Sequence, residues 1–411
     1  MKHNQLYLRQ ALLFIIIVIA YIGVFSLQAR AQTSPNITAL VWSPNGNQIA
    51  GASDDGYLRI WYATTGEVAL EFQAHSGAIH SLSWKPDGSR LASISSHDGV
   101  VRIWDTTNGN RVAELTGDRN PLDTALVAWN PNGDMIVGIT ANTDGGFPLH
   151  FWSVEGDNYQ PMSISANVAA FDVQWSPDGT KLAIADYRDV YIFDDFSSSN
   201  LEPHTVIPFR FAIAWSPDGT KLAAANLDGT VQILNPQTDE ILTSVGNATS
   251  DTQQRTATIA WDTDNTTLFA DRFDGTMQTW DTTTGEVIET LPLNREGGRF
   301  LMSLSPYGGR LALGNSAPVS ETASTQATRS DVQILANGAI QIVVPAPSLE
   351  RLQAIAEACN APAPIEQSLT ASIQANQLTN FVPQVEALPE NTIPPACAAD
   401  LIAVARALQS R

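Results

Sequence analysis

The sequence predicts an all-β chain of seven repeated four-stranded units followed by a small α-helical segment. Three observations carry that reading. A turn motif of the type W-x-P-x-G recurs along most of the chain. All ten tryptophans fall into two slots of the repeat. The last 66 residues change character, becoming Ala-rich and Leu/Ile-periodic without a tryptophan.

The repeat stands first, because a fixed period of 40–50 residues decides the architecture before any single element does. WSPNG begins at Trp42, WKPDG at Trp84, WNPNG at Trp129, and WSPDG at Trp175 and Trp215. WDTDN at Trp261 and LSPYG at Leu304 are degenerate copies, so the spacings run 42, 45, 46, 40, 46 and 43 residues. Within the second unit, IHSLSW reads as a strand and Lys85-Pro-Asp-Gly88 as a turn. Pro presets φ there and Gly admits a positive φ. LASIS is a second strand, His97-Asp98-Gly99 a tight hairpin turn, VVRIWD a third strand with period-two alternation, and RVAEL a fourth. Short strands at such spacing are the mark of all-β proteins.

Six tryptophans open the turn motif: Trp42, Trp84, Trp129, Trp175, Trp215 and Trp261. Four close the third strand: Trp61, Trp104, Trp152 and Trp280, while Phe193, Leu234 and Leu335 fill the remaining third-strand slots. A large apolar group at a fixed point of each unit packs one twisted sheet on the next, so these rings are expected in the core. Two residues before the third-strand slot stand Arg59, Arg102, His150, Tyr191, Gln232, Gln278 and Gln333. Strand alternation gives them the facing of the slot residue, either on a central channel or at the sheet edges.

The string Ala74-His75-Ser76-Gly77, then WKPDG, LAS, DG and VRIWD, resembles a WD40 repeat, and LRIWY and MQTWD echo its ending. The resemblance covers roughly residues 36–345, about three quarters of the chain. It implies a seven-bladed β-propeller and, within a blade, a structural cluster of His, Ser/Thr, Asp and Trp. Only the second unit carries the set: His75, Ser93 or Ser95, Asp98 and Trp104. Here the chain enters its first unit at the first strand, and the last unit owns a fourth strand, AIQIVV. Ring closure by plain packing follows, rather than by an N-terminal strand donated to the last blade.

Composition narrows the classes. A net charge of −20 over 411 residues argues against nucleic-acid partners and anionic lipid surfaces, which need clustered Lys and Arg. An apolar fraction of 44% excludes a disordered chain, and two cysteines exclude a disulfide-dense mini-domain. The N-terminus reads as an address. Lys2 and Arg9 precede a 17-residue apolar run, Ala11 to Leu27, and Ala29-Arg30-Ala31 follows. That is a secretory signal peptide over residues 1–31, or an uncleaved anchor at 11–27 that ties the chain to a membrane. Either places the remainder outside the cytoplasm.

The third and seventh units carry inserts at 141–148 and 314–330; the second, rich in Ser, Thr and Ala, reads as a solvated loop or as a partner-docking loop projecting from one propeller face. After residue 345 a small helical domain is expected over 346–411. Ser348 N-caps a helix to Cys359, whose buried face holds Leu349, Leu352, Ile355 and Ala356. Further helical stretches cover 365–375, 378–388 (interrupted by Pro383) and Pro395 to Gln409. In an exported chain Cys359 and Cys397 are expected to pair.

Motifs for nucleophile elbows, zinc helices, phosphate loops and dinucleotide binding are absent from the sequence. The six histidines lack ligand spacing, and most acids sit in turns where they bind their own backbone. Asp262, Asp264 and Asn265 alternate as calcium ligands do, without the rest of that pattern. No cofactor or metal is expected. The function read from the sequence is a non-catalytic, extracytoplasmic scaffold for protein or peptide partners. The alternatives are a propeller enzyme, hydrolase or lyase on peptides or glycans, and a sugar- or ligand-binding sensor.

Overall fold

A computed structural model describes residues 36–411 apart from 96, 117–124, 141–147, 163–167, 169, 187–188, 198–200, 209–211, 252–254, 294–300, 315–331, 336–339, 344–348, 360, 362–364, 366, 368, 370–377, 379–380, 389–391 and 410–411. The expected address at 1–31 therefore lies outside the described residues, as do nearly all of both inserts, the Ser348 cap and most of the stretch 365–375. Among the described residues no helix is long and apolar enough to cross a membrane.

Those residues form seven four-stranded antiparallel sheets, each drawn from one contiguous stretch of chain. The first holds β1 (Ile37–Trp42), β2 (Gln48–Ser53), β3 (Tyr57–Tyr62) and β4 (Val68–Gln73). The second holds β5 (Ile79–Trp84), β6 (Arg90–Ser95), β7 (Val100–Asp105) and β8 (Arg111–Thr116). The third is β9 (Ala125–Trp129), β10 (Met135–Thr140), β11 (Leu149–Glu155) and β12 (Asn158–Met162). The fourth is β13 (Asp172–Trp175), β14 (Leu182–Ala185), β15 (Asp189–Phe193) and β16 (Thr205–Pro208). The fifth is β17 (Ala212–Trp215), β18 (Leu222–Ala225), β19 (Val231–Leu234) and β20 (Ile241–Val245). The sixth is β21 (Thr256–Trp261), β22 (Thr267–Arg272), β23 (Thr276–Asp281) and β24 (Val287–Pro292), and the last is β25 (Leu301–Leu304), β26 (Leu311–Gly314), β27 (Val332–Leu335) and β28 (Ile340–Val343). The first strands pack on one another in sequence, and β1 also packs on β25 and β26, so the sheets form a β-propeller.

Register explains the tryptophan slots. In each sheet the turn-motif residue, a second-strand aliphatic and the third-strand slot residue stand in one row. The rows are Trp42–Ile49–Trp61, Trp84–Leu91–Trp104, Trp129–Ile136–Trp152, Trp175–Leu182–Phe193, Trp215–Leu222–Leu234 and Trp261–Leu268–Trp280. All members are buried. A bulky row at the same height in successive sheets lets neighbouring blades interdigitate, the source of most of the core's burial energy.

The last sheet departs from the expected order. Its strands run β25–β26–β28–β27, so Val343 completes the row Leu304–Leu311–Val343, and Leu335 stands on the outer strand opposite Ile340. VQIL and IQIV offer the same alternation, and the long connection after β26 lets the later strand take the inner place.

Three helices follow: α1 (Leu349–Ala358), α2 (Phe381–Glu386) and α3 (Pro395–Gln409). Leu352, Ile355, Ala356, Phe381, Val385, Leu401 and Val404 share one core there. Pro383 does not break its helix, because it occupies the first turn, where no intrahelical N–H is required. Cys359 and Cys397 are joined, with Cα atoms 5.9 Å apart. Tyr307 from the seventh sheet's turn packs against this core, and Asn36–Arg411 form one compact unit.

Candidate functional site

The first strands of all seven sheets enclose a central cavity of about 830 Å³. Its wall holds His80, Asp172 and Gln174 among small polar and aliphatic residues. Asp172 is committed to the wall itself: it accepts from the Ile213 amide at 3.1 Å and from Gln174 Nε2 at 3.4 Å. Gln174 also donates to Ile213 O at 2.7 Å, so the pair joins the fourth and fifth sheets. The polar third-strand residues lie elsewhere, because third strands do not form the wall. Arg59 is paired with Asp55 and Glu71, and Arg102 with Asp98 and Glu114, all within their own sheets. His150 lies against the Trp152 ring, 6.0 Å between centroids.

One mouth of the cavity carries exposed apolar groups. Phe171 stands just before β13, Leu227 in the turn after β18 and Phe273 in the turn after β22. They are 51%, 44% and 39% exposed. First strands begin, and second strands end, at the same edge of each sheet, as Asp172↔Ala185, Ala212↔Ala225 and Thr256↔Arg272 show. The three side chains therefore share one face over adjacent sheets four to six. Phe171 and Phe273 also line the cavity. Single exposed apolar residues need no explanation, but aromatic groups gathered at a concave mouth mark a contact surface.

The second sheet holds the His/Ser/Asp/Trp set. Trp104 Nε1 donates to Ser93 Oγ at 2.8 Å, and Ser93 Oγ lies 2.8 Å from His75 Nε2. His75 Nδ1 is 3.5 Å from Asp98 Oδ2. Ser95 takes no part; its hydroxyl donates to Ala78 O at 2.7 Å. Arg102 is a further member that the motif did not signal, 2.8 Å from Asp98 Oδ2 and in contact with His75 Nδ1. Only the two-residue offset from Trp104 could have pointed to it. Burial pushes the His75 pKa below its ordinary value, so the ring is neutral near neutral pH. Burial alone would raise Asp98, but the hydrogen bond and charge of His75, the Val100 amide and Arg102 outweigh it and hold the carboxyl at about 2.

Serine, histidine and carboxylate in contact follow the order of a hydrolytic triad. Ser93 is fully buried, however, and its oxygen already accepts the indole proton. A nucleophile must reach its substrate, so this arrangement braces the sheet rather than attacking a bond.

The remaining candidates resolve as turn chemistry. Asp264 accepts from the Thr266 and Thr267 amides at 2.8 and 2.7 Å, and Asn265 Oδ1 accepts from the Asp218 amide at 2.9 Å. Among the described residues no three His, Cys, Asp or Glu side chains cluster as metal ligands. Tyr191, with its hydroxyl 3.4 Å from Asp186 and 3.5 Å from Asp189, has its pKa pushed up to about 12 by burial and those carboxylates. It ties the β14–β15 turn.

Comparison with known proteins agrees with this architecture. The family model "WD domain, G-beta repeat" matches residues 24–62, 66–105 and 198–235. WD repeat-containing protein AAC3 of Dictyostelium discoideum is 27% identical over 124 residues, covering 25% of each chain. WD repeat-containing protein 1 of Rattus norvegicus is 29% identical over 162 residues, 37% of this chain and 25% of its own. The periodic tryptophan protein 2 homolog of Dictyostelium discoideum is 26% identical over 210 residues, 50% of this chain and 22% of its own. The chain thus spans about a quarter of the length of these relatives. Repeat period, sheet topology and these matches point the same way: the chain is a β-propeller whose matched stretches are similar to WD40 repeats.

Proposed function

We propose that this chain is a non-catalytic, extracytoplasmic platform that binds a protein or peptide partner at the mouth bearing Phe171, Leu227 and Phe273. The seven sheets act as the blades of one closed ring, and the ring holds those side chains rigidly around the cavity. The exposure of three large apolar groups on adjacent sheets is the observation that carries the reading. Burying them in a complex contributes roughly 1.5–3 kcal/mol for each side chain fully covered. The WD-repeat relatives support a binding role by analogy of fold. Location outside the cytoplasm rests on the N-terminal pattern of a basic start, an apolar run and Ala29-Arg30-Ala31.

The test uses the chain as it is exported. Native envelope extract is passed over the immobilised protein and over a Phe171→Ser/Phe273→Ser variant, and retained proteins are identified by mass spectrometry. A partner held by the parent and lost from the folded variant supports the site. Equal retention by both moves the site elsewhere, and no retention by either refutes the platform reading. The intact mass of the exported chain separates cleavage after Ala31 from an uncleaved anchor, and a chain that stays in the cytoplasm refutes the placement.

A further inference from the structure

Successive sheets share a repeated bond. The indole N–H of a turn-motif tryptophan donates to the carbonyl just before the corresponding tryptophan of the preceding sheet. Trp84 reaches Val41 at 3.3 Å, Trp175 reaches Ala128 at 3.4 Å, Trp215 reaches Gln174 at 3.2 Å and Trp261 reaches Ala214 at 3.0 Å. Trp129 lacks this bond, but Ser81 and Ser83 bind the Val127 and Trp129 amides there at 3.2 and 2.8 Å, and the ring packs edge-on to Tyr159.

Three seams lack this bond among the described residues: the one into Trp129, the one between the sixth sheet and the seventh, where Leu304 stands in the turn-motif slot, and the one between the last sheet and the first. At this last seam Trp42 Nε1 is buried without a hydrogen-bond partner among the described residues, and one backbone–side-chain bond, Trp42 N to Ser303 Oγ at 3.1 Å, crosses near it.

What stands at this seam instead is Arg310. Its guanidinium lies 4.9 Å from the centre of the Trp42 ring and donates to Ala63 O at 3.4 Å, both in the first unit. Lys221 holds the corresponding place over Trp261 at 5.6 Å, but it is partly exposed and bonds only a turn carbonyl, Asn265 O, at 2.9 Å. Arg310 is buried, and its charge is met by the fully buried Asp400 of α3. Ser305 Oγ donates to the other carboxylate oxygen at 2.8 Å. Gly309 makes room, since a Cβ there would sit 2.5 Å from that of Asp400. On the first sheet's side, Ala396 of the same helix comes within 2.7 Å of where a Cβ of Gly46 would stand. One helix thus touches the turns of both the last and the first sheet. Cys397, one turn before Asp400, ties that helix to the end of α1 through Cys359.

We infer that α3 is the clasp of the propeller: it closes the ring across the seam between the last sheet and the first through Asp400 and Arg310, and the Cys359–Cys397 bond keeps it seated, so that reduction loosens the closure. A channel bounded at this seam by β1 and β25 then depends on the state of the disulfide.

Hydrogen exchange on the full chain tests this. Asp400→Asn should raise exchange about ten-fold or more in β1, β25 and β26 while β13, β14, β17 and β18 keep their protection. Reduction of the unsubstituted chain should speed the same seam strands, several-fold. If Asp400→Asn fails to fold, Ser305→Ala and the reduced chain give the same readout. Faster exchange confined to α1–α3, with the seam unchanged, would overturn the inference, and so would an even acceleration over all seven sheets.

Discussion

Replacing Ser93 by alanine isolates the brace in the second sheet. The hydroxyl accepts from Trp104 Nε1 at 2.8 Å and sits 2.8 Å from His75 Nε2, and its surroundings are fully buried. Alanine removes the oxygen and little volume, so the loss is one of polar pairing. An indole N–H and an imidazole nitrogen are then left buried and unpaired, each costing about 1–3 kcal/mol. The expected total is about 2–6 kcal/mol. Ser95→Ala is the control two residues away on the same strand. It loses the bond donated to Ala78 O at 2.7 Å and the one accepted from the His97 amide at 3.2 Å, for about 1–2 kcal/mol. Because a multi-sheet ring need not unfold in one step, local opening energies are the right quantity, read by native-state hydrogen exchange over β5–β8. Ser93→Ala should cut protection there by at least an order of magnitude more than Ser95→Ala does. Equal effects would mean that the His75–Ser93–Trp104 contacts contribute no more than the ordinary hydrogen bonds of Ser95.

Acid should weaken the same sheet in two stages. His75 has a lowered pKa in the folded chain, so its contribution is complete above the unfolded value near 6.5 and is lost as pH falls toward the folded one. Asp98, held at about 2 against 3.8, adds a contribution that is present above pH 4 and lost on descent to pH 2. Exchange in β5–β8 followed from pH 7.5 to 5 should therefore rise beyond its intrinsic pH dependence in the parent but not in His75→Asn; parallel profiles would sink the assignment. Gly56→Ala should cost roughly 2–3 kcal/mol, because φ is +80° and the new Cβ would fall 2.3 Å from His75 O. Gly88→Ala, at φ +73° with nothing within 4 Å, should cost about 1–2 kcal/mol in chemical denaturation, and a reversed order would refute the clash argument.

The parts of this molecule that repeat were readable, and the parts that occur once were not. Trp42 and Trp61 could be placed on one row because each has counterparts at the same offset in other units, and periodicity reports local strand geometry. His75, Asp98 and Trp104 were visible through the motif of the second unit. The choice between Ser93 and Ser95 was not, since both point to the same side of β6 and only the register against β7 separates them. Leu335 was misplaced for a related reason: β27 and β28 carry nearly the same four residues, and strand order within a sheet is a non-local fact. Arg102 read as a generic polar position because its partners come from a turn and from the fourth strand. Asp400 carried no signal in the sequence, because its partner Arg310 lies 90 positions earlier, in a turn that itself looked degenerate.

That last failure has a physical origin in the topology of a ring. Six of the seven seams join units adjacent in sequence, so folding one unit delivers the next to its place at little added entropy, as in linear repeat arrays. The closing seam joins residues 261 positions apart, Trp42 and Ser303, and must bear the closure entropy of the whole chain. Yet no indole bond spans that seam, where Trp42 Nε1 is buried without a partner among the described residues. A ring built from identical units would have no means of compensating one interface, so the compensation has to come from outside the repeat. The C-terminal helices supply it with a buried ion pair, whose severance from one side costs about 3–5 kcal/mol, and a disulfide that restrains a loop of 38 residues, worth roughly 4 kcal/mol in the chain-entropy model. The helical segment thus acts at the one seam that sequence neighbours cannot close: Asp400 holds Arg310 against Trp42.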